Sequence, residues 1–327
     1  MNIYDIAKEA GVSIATVSRV LNGKSIVSSK TREKVEAVLK KFNFTPDPNA
    51  RSLVVKSAKS VAVLVEDVSN PYLGGLCFEV QRSLYKTGYT TLLYNTGGTA
   101  LGVSQSLRAA LSQKVSAIIV AGVSNEANEY IAAAAKSVPI VIVNHFIDAP
   151  GIYRVVCDES YGMMLAVSRL VQDGRHNIIF IQDQGEEYFS SKEMLEGFRS
   201  GMEMNELSPE GRIFKTERGF DGGYACAEAL WKDGHRADGI ICGDDTTAAG
   251  FIKYLRQNYI DVPDDACVIG FHNTSAALCA TPSITSIDCR SDMAGATAAK
   301  ILKTLFETGE APAKSVVLPR LIKRESA

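Results

Sequence analysis

An alternation of apolar runs with helical patterns constrains this chain most. Beyond residue 59, strand-length runs recur at Ser60–Val65, Thr90–Tyr94, Ala117–Ala121, Ile140–Val143, Ile178–Ile181, Gly239–Cys242 and Val268–Phe271. Helical patterns lie between them, at Leu73–Lys86, Val103–Ser112, Asn125–Ala135, Tyr161–Gln172, Lys192–Met204, Tyr224–Lys232 and Thr246–Asn258. This order predicts parallel β–α units. Runs without polar interruption predict sheets covered on both faces. The pattern breaks near Asp158 and returns near Ile287–Arg290. A last helix follows through Met293, Ile301, Leu302, Leu305 and Phe306, then a final strand around Val316–Leu321. Two lobes joined by several crossovers are expected, with a ligand cleft between them at the carboxyl ends of the strands.

Other classes are disfavoured. A chain of 327 residues suits two or three domains. Its 46% hydrophobic and 22% charged residues are ordinary for a globular protein, not a disordered, collagen-like or coiled-coil one. The charge-free stretches 115–125 and 137–147 are 11 residues each, short of the roughly 18 a membrane span needs. No membrane partner is expected. The N-terminus has no basic segment followed by an apolar core, so no signal peptide is expected. Seven cysteines scattered without a C-x-x-C pair favour a reducing, cytoplasmic setting over disulfides or zinc. No G-x-G-x-x-G follows a strand, and Gly97-Gly98 and Gly222-Gly223 lack the spacing. No G-x-S-x-G elbow appears. The histidines at 145, 176, 235 and 272 have no metal-site spacing. No enzyme, cofactor or metal is therefore expected. Asp244-Asp245 could be a carboxylate pair, with a helix cap and ligand contact as the competing role.

The net charge of −2 hides an asymmetry. Residues 1–59 carry eleven basic and five acidic side chains, a net +6, and the remainder carries −8. A basic head on an acidic body points to a polyanionic partner for the head alone. Within the head, Ile3, Ile6, Ala7 and Ala10 define one face of a short helix that Gly11 ends. Ser13 caps a second helix over Ile14–Asn22, with Val17, Val20 and Leu21 inward. Ser28 caps a third, near Ser29–Phe42, with Val35, Val38, Leu39 and Phe42 inward. This is a helix-turn-helix pattern. Its second helix leaves Ile14, Ala15, Thr16, Ser18, Arg19 and Asn22 outward, a small and neutral face with one arginine. Such a face suits base edges in a major groove, with Ser13 and Thr16 placed to meet phosphates. Asp47 and Pro48 then form a cap and first turn for about eight residues ending near Val55, too short to hold a helix alone in water.

The runs Ile3-Tyr4-Asp5-Ile6-Ala7-Lys8-Glu9-Ala10-Gly11-Val12-Ser13, Thr16-Val17-Ser18-Arg19-Val20-Leu21-Asn22, Val27-Ser28, Thr31-Arg32-Glu33-Lys34-Val35 and Ala50-Arg51-Ser52-Leu53 resemble the lactose/galactose-repressor (LacI/GalR) family of bacterial transcription regulators. The resemblance covers essentially the whole chain. It implies a helix-turn-helix domain over 1–45, a hinge over 46–57, and a two-lobed periplasmic-binding-protein-like α/β body over 58–327. The N-lobe would take about 58–157 and 290–323, and the C-lobe about 158–289. It implies a cytoplasmic, nucleoid-associated homodimer on near-palindromic double-stranded operator DNA, controlled by a small-molecule effector, a sugar or other metabolite. DNA contacts would come from Ser13, Ile14, Ala15, Thr16, Ser18, Arg19 and Asn22, from Ser28 and Thr31, and from Ala50 and Leu53 of the hinge. Leu53 would wedge into the minor groove and bend the duplex. Ile14 and Ala15 can offer only apolar contact to thymine methyls, whereas Arg19 can read guanine. Pro46-Asp47 stands where the family usually has Pro-Asn, a cap substitution. No leucine-heptad tail follows, so a dimer is expected rather than a tetramer. A solute-binding receptor without a DNA role is the alternative, sharing the two-lobed body.

The resemblance also implies effector contacts from Tyr72, Leu73, Asn144, Ser190, Met194, Phe220, Asp244 and His272. Here the chain departs from its relatives. Met194 stands where an Arg is usual, and His272 and Asn144 where Asp is common. These losses point towards a less polar, aromatic or anionic effector, with His272 and Lys192 as donors. The competing reading is a sugar held by a different polar set.

Overall fold

The computed structural model describes residues 3–21, 27–42, 59–182, 185 and 188–327. The chain forms two compact units, 1–58 and 59–327.

The first unit packs α1 (Ile3–Ala10), α2 (Ile14–Leu21) and α3 (Ser29–Lys41). Ile6, Ala7, Ala10, Val17, Val20 and Val35 are its buried core. Gly11 takes φ +62° and lets Val12 N–H reach back to the Ala7 carbonyl at 3.0 Å, which closes α1 and turns the chain into α2. Ser13 accepts from Thr16 N–H at 3.2 Å, and Ser28 accepts from Thr31 N–H at 3.3 Å. Both caps are those expected. Phe42, expected inward, is exposed at the end of α3, with Lys41 over its ring at 4.9 Å. Asn22, Ala50, Leu53 and the proposed hinge lie outside the described residues.

The second unit holds two six-stranded sheets. The first contains β1 (Ser60–Val65), β2 (Thr90–Asn95), β3 (Ala117–Ala121), β4 (Ile140–Val143), β5 (Ile152–Cys157) and β11 (Lys314–Val317), in the order β11-β5-β4-β3-β1-β2. The second contains β6 (Ile178–Gln182), β7 (Ile213–Lys215), β8 (Gly239–Cys242), β9 (Cys267–Phe271), β10 (Thr285–Asp288) and β12 (Arg320–Ile322), in the order β12-β10-β9-β8-β6-β7. All pairings are parallel except β10 with β12.

Alternate strand residues feed opposite faces. Val61 and Val63 pack with Leu76 and Val80 of α4 (Pro71–Tyr85) and Leu302 of α11 (Ser291–Thr308). Ala62 and Leu64 pack with Leu107 of α5 (Ala100–Ser112) and Ile131 of α6 (Asn128–Ala135). On the second sheet, Ile178 and Phe180 meet Val167 of α7 (Glu159–Gln172) and Phe198 of α8 (Phe189–Met204). Its other face meets Leu230 of α9 (Phe220–Lys232) and Phe251 of α10 (Asp245–Gln257). Gly197 lets α8 close on α7, since a Cβ there would lie 2.3 Å from the Ser160 carbonyl oxygen.

Three differences from the sequence reading stand out. The final strand is two strands in different sheets, because Pro319 has no N–H to continue a ladder. Residues 320–327 thus join the second lobe, with Ser326 N–H on the Ser283 carbonyl at 3.0 Å, and the N-lobe does not extend to 323. β5 was not anticipated because Tyr153-Arg154 interrupts its apolar run. β7 was not anticipated because it is a half-buried edge of three residues.

Four helices after strands are capped by their preceding residue: Asn70 for α4, Thr99 for α5, Asp158 for α7 and Asp244 for α10. Beside the last cap, fully buried Asp245 ties α10 to the second sheet. It hydrogen-bonds Ser286 Oγ at 2.6 Å and accepts from Thr274 N–H at 2.5 Å and Thr274 Oγ1 at 2.9 Å. Burial pushes its carboxyl up to about 7 from 3.8, against the pull of those bonds. A raised acid pKa favours the folded state most below the unfolded value, and that stabilisation is lost as pH rises through about 7. Asp245→Asn keeps a neutral group able to accept from Thr274 and donate to Ser286. Its melting temperature relative to wild type should therefore climb between pH 5 and 8. A relative fall would mean that the buried group is stabilised as a carboxylate.

Candidate functional site

Two places carry the residues singled out by sequence. On the helical unit, Ser13, Ile14, Ala15 and Arg19 are exposed, and Thr16 and Ser18 are half-buried. Ser13 and Thr16 hydroxyls pair at 2.9 Å at the start of α2, and Ser28 and Thr31 pair at 2.9 Å at the start of α3. Helix N-termini direct unpaired backbone N–H groups outward, an arrangement suited to phosphate oxygens.

The other place is the cleft between the two sheets of the body, lined by residues of both lobes. Asn70 sets its wall. Its side chain accepts from Tyr72 N–H at 2.9 Å and Leu73 N–H at 3.2 Å, so α4 begins with both residues facing the cleft. The Tyr72 ring meets the His272 ring with centroids 4.5 Å apart.

Asn144, at the end of β4, joins the lobes. Its backbone takes φ +49°, a conformation asparagine tolerates better than most residues. Its Oδ1 accepts from Cys157 N–H at 2.7 Å. Its Nδ2 donates to the Tyr72 hydroxyl at 3.2 Å and to Glu159 Oε1 at 3.1 Å. Glu159 is buried as the first residue of α7. Burial pushes its carboxyl up to about 7, opposed by a hydrogen bond from Ser190, the charge of Arg218 and the Asn144 amide.

A second link crosses the cleft at Glu66, just after β1. Glu66 Oε1 accepts from the Tyr188 hydroxyl at 3.2 Å, and Oε2 meets Arg218 Nη1 at 3.4 Å. Gly98 makes room for this link. A Cβ there would lie 2.8 Å from the Tyr188 hydroxyl and 2.9 Å from Glu66 Oε1, and its φ is +71°. Ser124 forms an antiparallel bridge with Tyr188, and the rings of Phe146 and Phe189 stack at 6.4 Å. His272 holds φ +84° after β9, its N–H on the Ile287 carbonyl at 2.7 Å. Burial lowers its imidazole to about 4, so the ring is neutral at pH 7.

Of the eight residues implied as effector contacts, Tyr72, Leu73, Asn144, Ser190 and His272 line this cleft. Three do not. Met194 shares the inward face of α8 with Phe198 and Met202 and is buried in the core. Phe220 is largely exposed, beside Ile252 and Arg256 in a separate groove. Asp244 is buried and caps α10 through Thr246 N–H at 2.7 Å, acting on His272 by its charge. Lys192 is exposed on α8 and lies outside the cleft lining, so it is no donor there. Sequence reasoning missed Glu66, Glu159, Tyr188, Phe189 and Arg218. A usable signal existed for Glu66, the first charged residue after an apolar strand at the ligand-binding end of a sheet.

Comparison with known proteins fits both places. Residues 2–47 match the bacterial regulatory proteins, lacI family, and residues 167–327 match a periplasmic binding protein-like domain. An HTH-type transcriptional regulator of Lachnoclostridium phytofermentans is 31% identical over 100% of this chain and 99% of its own length. This chain belongs to the LacI family of bacterial transcription regulators. Catabolite control protein A of Priestia megaterium is 28% identical over 99% of this chain and 98% of its own. The lac repressor dimer bound to operator and the anti-inducer ONPF shares the fold, with TM-score 0.92, 23% identity, and coverage of 100% of this chain and 98% of that one. The chain is thus a DNA-binding regulator and not an enzyme, and the receptor reading without DNA gives way. Among the described residues, no helix is long and apolar enough to cross a membrane.

Asn144→Ala removes a side chain with three buried or half-buried partners and places alanine at positive φ. An unsatisfied buried polar group costs about 1–3 kcal/mol. Chemical denaturation should show at least that loss. A change under about 0.5 kcal/mol, the range of ordinary surface substitutions, would remove Asn144 as a bridge between the lobes.

Proposed function

We propose that this LacI-family regulator acts as a cytoplasmic homodimer on a near-palindromic operator on the nucleoid. Its affinity is set by an uncharged, hydroxyl-bearing effector in the cleft. Repression is the favoured mode, as the relatives' names suggest. Residues 1–45 read DNA, 46–57 form the hinge and 58–327 hold the effector. The lobes divide as expected except that 320–327 belong to the second.

One observation carries the effector class. The cleft sets two carboxyl groups, Glu66 and Glu159, against a single guanidinium, Arg218, which already meets Glu66. With Arg218 committed to Glu66 and His272 neutral, the described lining offers an anion no uncommitted cation. A hydroxylated molecule can donate to Glu66 and Glu159, accept from Arg218 and lay an apolar face on Tyr72, Phe189 or Leu73. This favours the sugar reading with a different polar set over the anionic one. A fluorescence thermal-shift screen of neutral sugars against anionic metabolites tests it. Stabilisation by a sugar, lost in Arg218→Ala, is expected. Stabilisation by anions alone would overturn it.

The DNA reading rests on the α2 surface. The residues assigned to contact are Ser13, Ile14, Ala15, Thr16, Ser18 and Arg19, with Ser28 and Thr31 at phosphates. Asn22, Ala50 and Leu53 are assigned from the sequence pattern alone. A dimer making ~6–10 phosphate contacts should lose on the order of 10³–10⁵ in affinity between about 50 and 200 mM salt. Arg19→Ala should cost about 1–3 kcal/mol of discrimination between operator and mutated operator, measured by fluorescence anisotropy. Equal losses on operator and random duplex would make Arg19 a phosphate contact instead.

The homodimer is supported by apolar side chains left exposed on three neighbouring elements of the first lobe. Phe78 and Tyr85 of α4 and Leu101 of α5 are 67%, 80% and 67% exposed, with Leu93 of edge strand β2 between them. Such a patch marks an interface more often than free surface. Light scattering should give twice 35.2 kDa for wild type, and Phe78→Glu with Leu101→Glu should give the monomer mass. A dimer unaffected by both changes would place the interface elsewhere.

A further inference from the structure

At the inner end of the cleft, three metal-ligating side chains from distant parts of the sequence meet. A carboxylate oxygen of Glu159, a ring nitrogen of His272 and the sulfur of Cys289 all lie within 4.8 Å of one another. Glu159 opens α7, His272 follows β9 and Cys289 follows β10, so only the parallel sheet order brings them together. Spacing along the chain therefore showed no metal anchor. Glu159 and Cys289 are buried, and His272 Nδ1 is shielded from solvent without a hydrogen-bond partner among the described residues. Cys157 stands behind, its thiol hydrogen-bonded to Cys289.

Cleft lining alone does not account for this cluster. A buried thiol outside the cleft lining does nothing for a sugar. A cation held between the three side chains would stabilise the carboxylate, the thiolate and the neutral imidazole at once.

We propose that Glu159, His272 and Cys289 form a site for a borderline-soft divalent transition-metal ion, Zn²⁺ foremost, at the floor of the cleft. The sulfur, nitrogen and oxygen donors match Zn²⁺ and not Ca²⁺ or Mg²⁺, which select oxygen ligands. Around a tetrahedral Zn²⁺ the ligand atoms stand about 3.3–3.8 Å apart, so the cluster contracts by at most about 1.5 Å. Three protein ligands leave a fourth position. It faces the cleft, since Glu159 and His272 both line it. On binding, the Cys289 thiol proton and any proton on Glu159 leave to buffer, and no group changes oxidation state. The site shares Glu159 and the cleft floor with the effector reading above, and a bound ion would take the place of an effector hydroxyl at that carboxylate; metal retention is measured without an effector, so the failure of either reading is distinguishable.

The test uses the full chain, chelator-treated and kept reduced so that Cys157 and Cys289 remain thiols. Equilibrium dialysis against ZnCl₂ with elemental analysis should give one tightly held ion per chain. Cys289→Ser and His272→Ala should each weaken binding by on the order of 10-fold or more. Loading with Co²⁺ should produce a thiolate-to-cobalt absorption band that Cys289→Ser abolishes. Cys279→Ser, at an exposed cysteine outside the cluster, should change neither readout. Circular dichroism checks the fold of each variant. His272→Ala, at the half-buried edge of the site, gives the same reading if Cys289→Ser does not fold. Absence of a retained ion, or equal retention by wild type, Cys289→Ser and His272→Ala, would overturn the proposal.

Discussion

The Asn144 amide is the contact on which the cleft depends. It spends every hydrogen-bonding atom of its side chain on a neighbour. The carbonyl oxygen takes the Cys157 N–H at the crossover, and the amide nitrogen serves Tyr72 in the first lobe and Glu159 in the second. Hydrogen bonds from Ser190 and Asn144, with the Arg218 charge, offset part of the cost of burying the Glu159 carboxyl. Its burial in turn sets the polarity of the cleft floor. The Glu66 contacts with Tyr188 and Arg218 link the two lobes across the same cavity. Contacts of this kind at partly exposed positions are individually weak. They suit a joint that a ligand of modest affinity can rearrange.

Sequence reading succeeded where the physics is local. Apolar periodicity, Gly11, Ser13 and Ser28 determine the helical unit within about forty residues, and the structure shows those caps in place. The central strands were legible because burial on both faces demands continuous apolar runs. β5 and β7 were not, because they lie towards sheet edges where polar residues are tolerated. The last strand misled for a different reason. Val316–Leu321 is apolar throughout apart from Pro319 and Arg320, and one proline divides it between two sheets.

The cleft was half legible. Residues at strand ends and in capped turns, such as Tyr72, Asn144 and His272, could be placed because local signals position them. Met194 could not, because helix phase alone decides whether it faces the core or the cleft, and Phe198 and Met202 draw it inward. Glu159 acts through Asn144, 15 residues away across a change of lobe, and Arg218 through Glu66, 152 residues away, and no local pattern announces such pairs. The Asp244-Asp245 pair in the sequence suits a cap with ligand contact. The structure separates the two roles: Asp244 caps α10, and Asp245 fastens α10 to the second sheet.

Control of DNA binding requires the ligand to favour one arrangement of the lobes over another, and a ligand that binds both equally shifts nothing. The hinge adds leverage, since ordering about eight residues costs roughly 1–2 kcal/mol each in backbone entropy, repaid only by contacts formed on DNA. Linkage makes this account measurable. With the full chain, an operator selected from random duplexes and a cleft ligand found by thermal shift, operator affinity is measured with and without ligand, and ligand affinity with and without operator. The account predicts that both change by the same factor, roughly 5- to 150-fold. A ligand whose binding depends on Arg218 yet leaves operator affinity unchanged would contradict it.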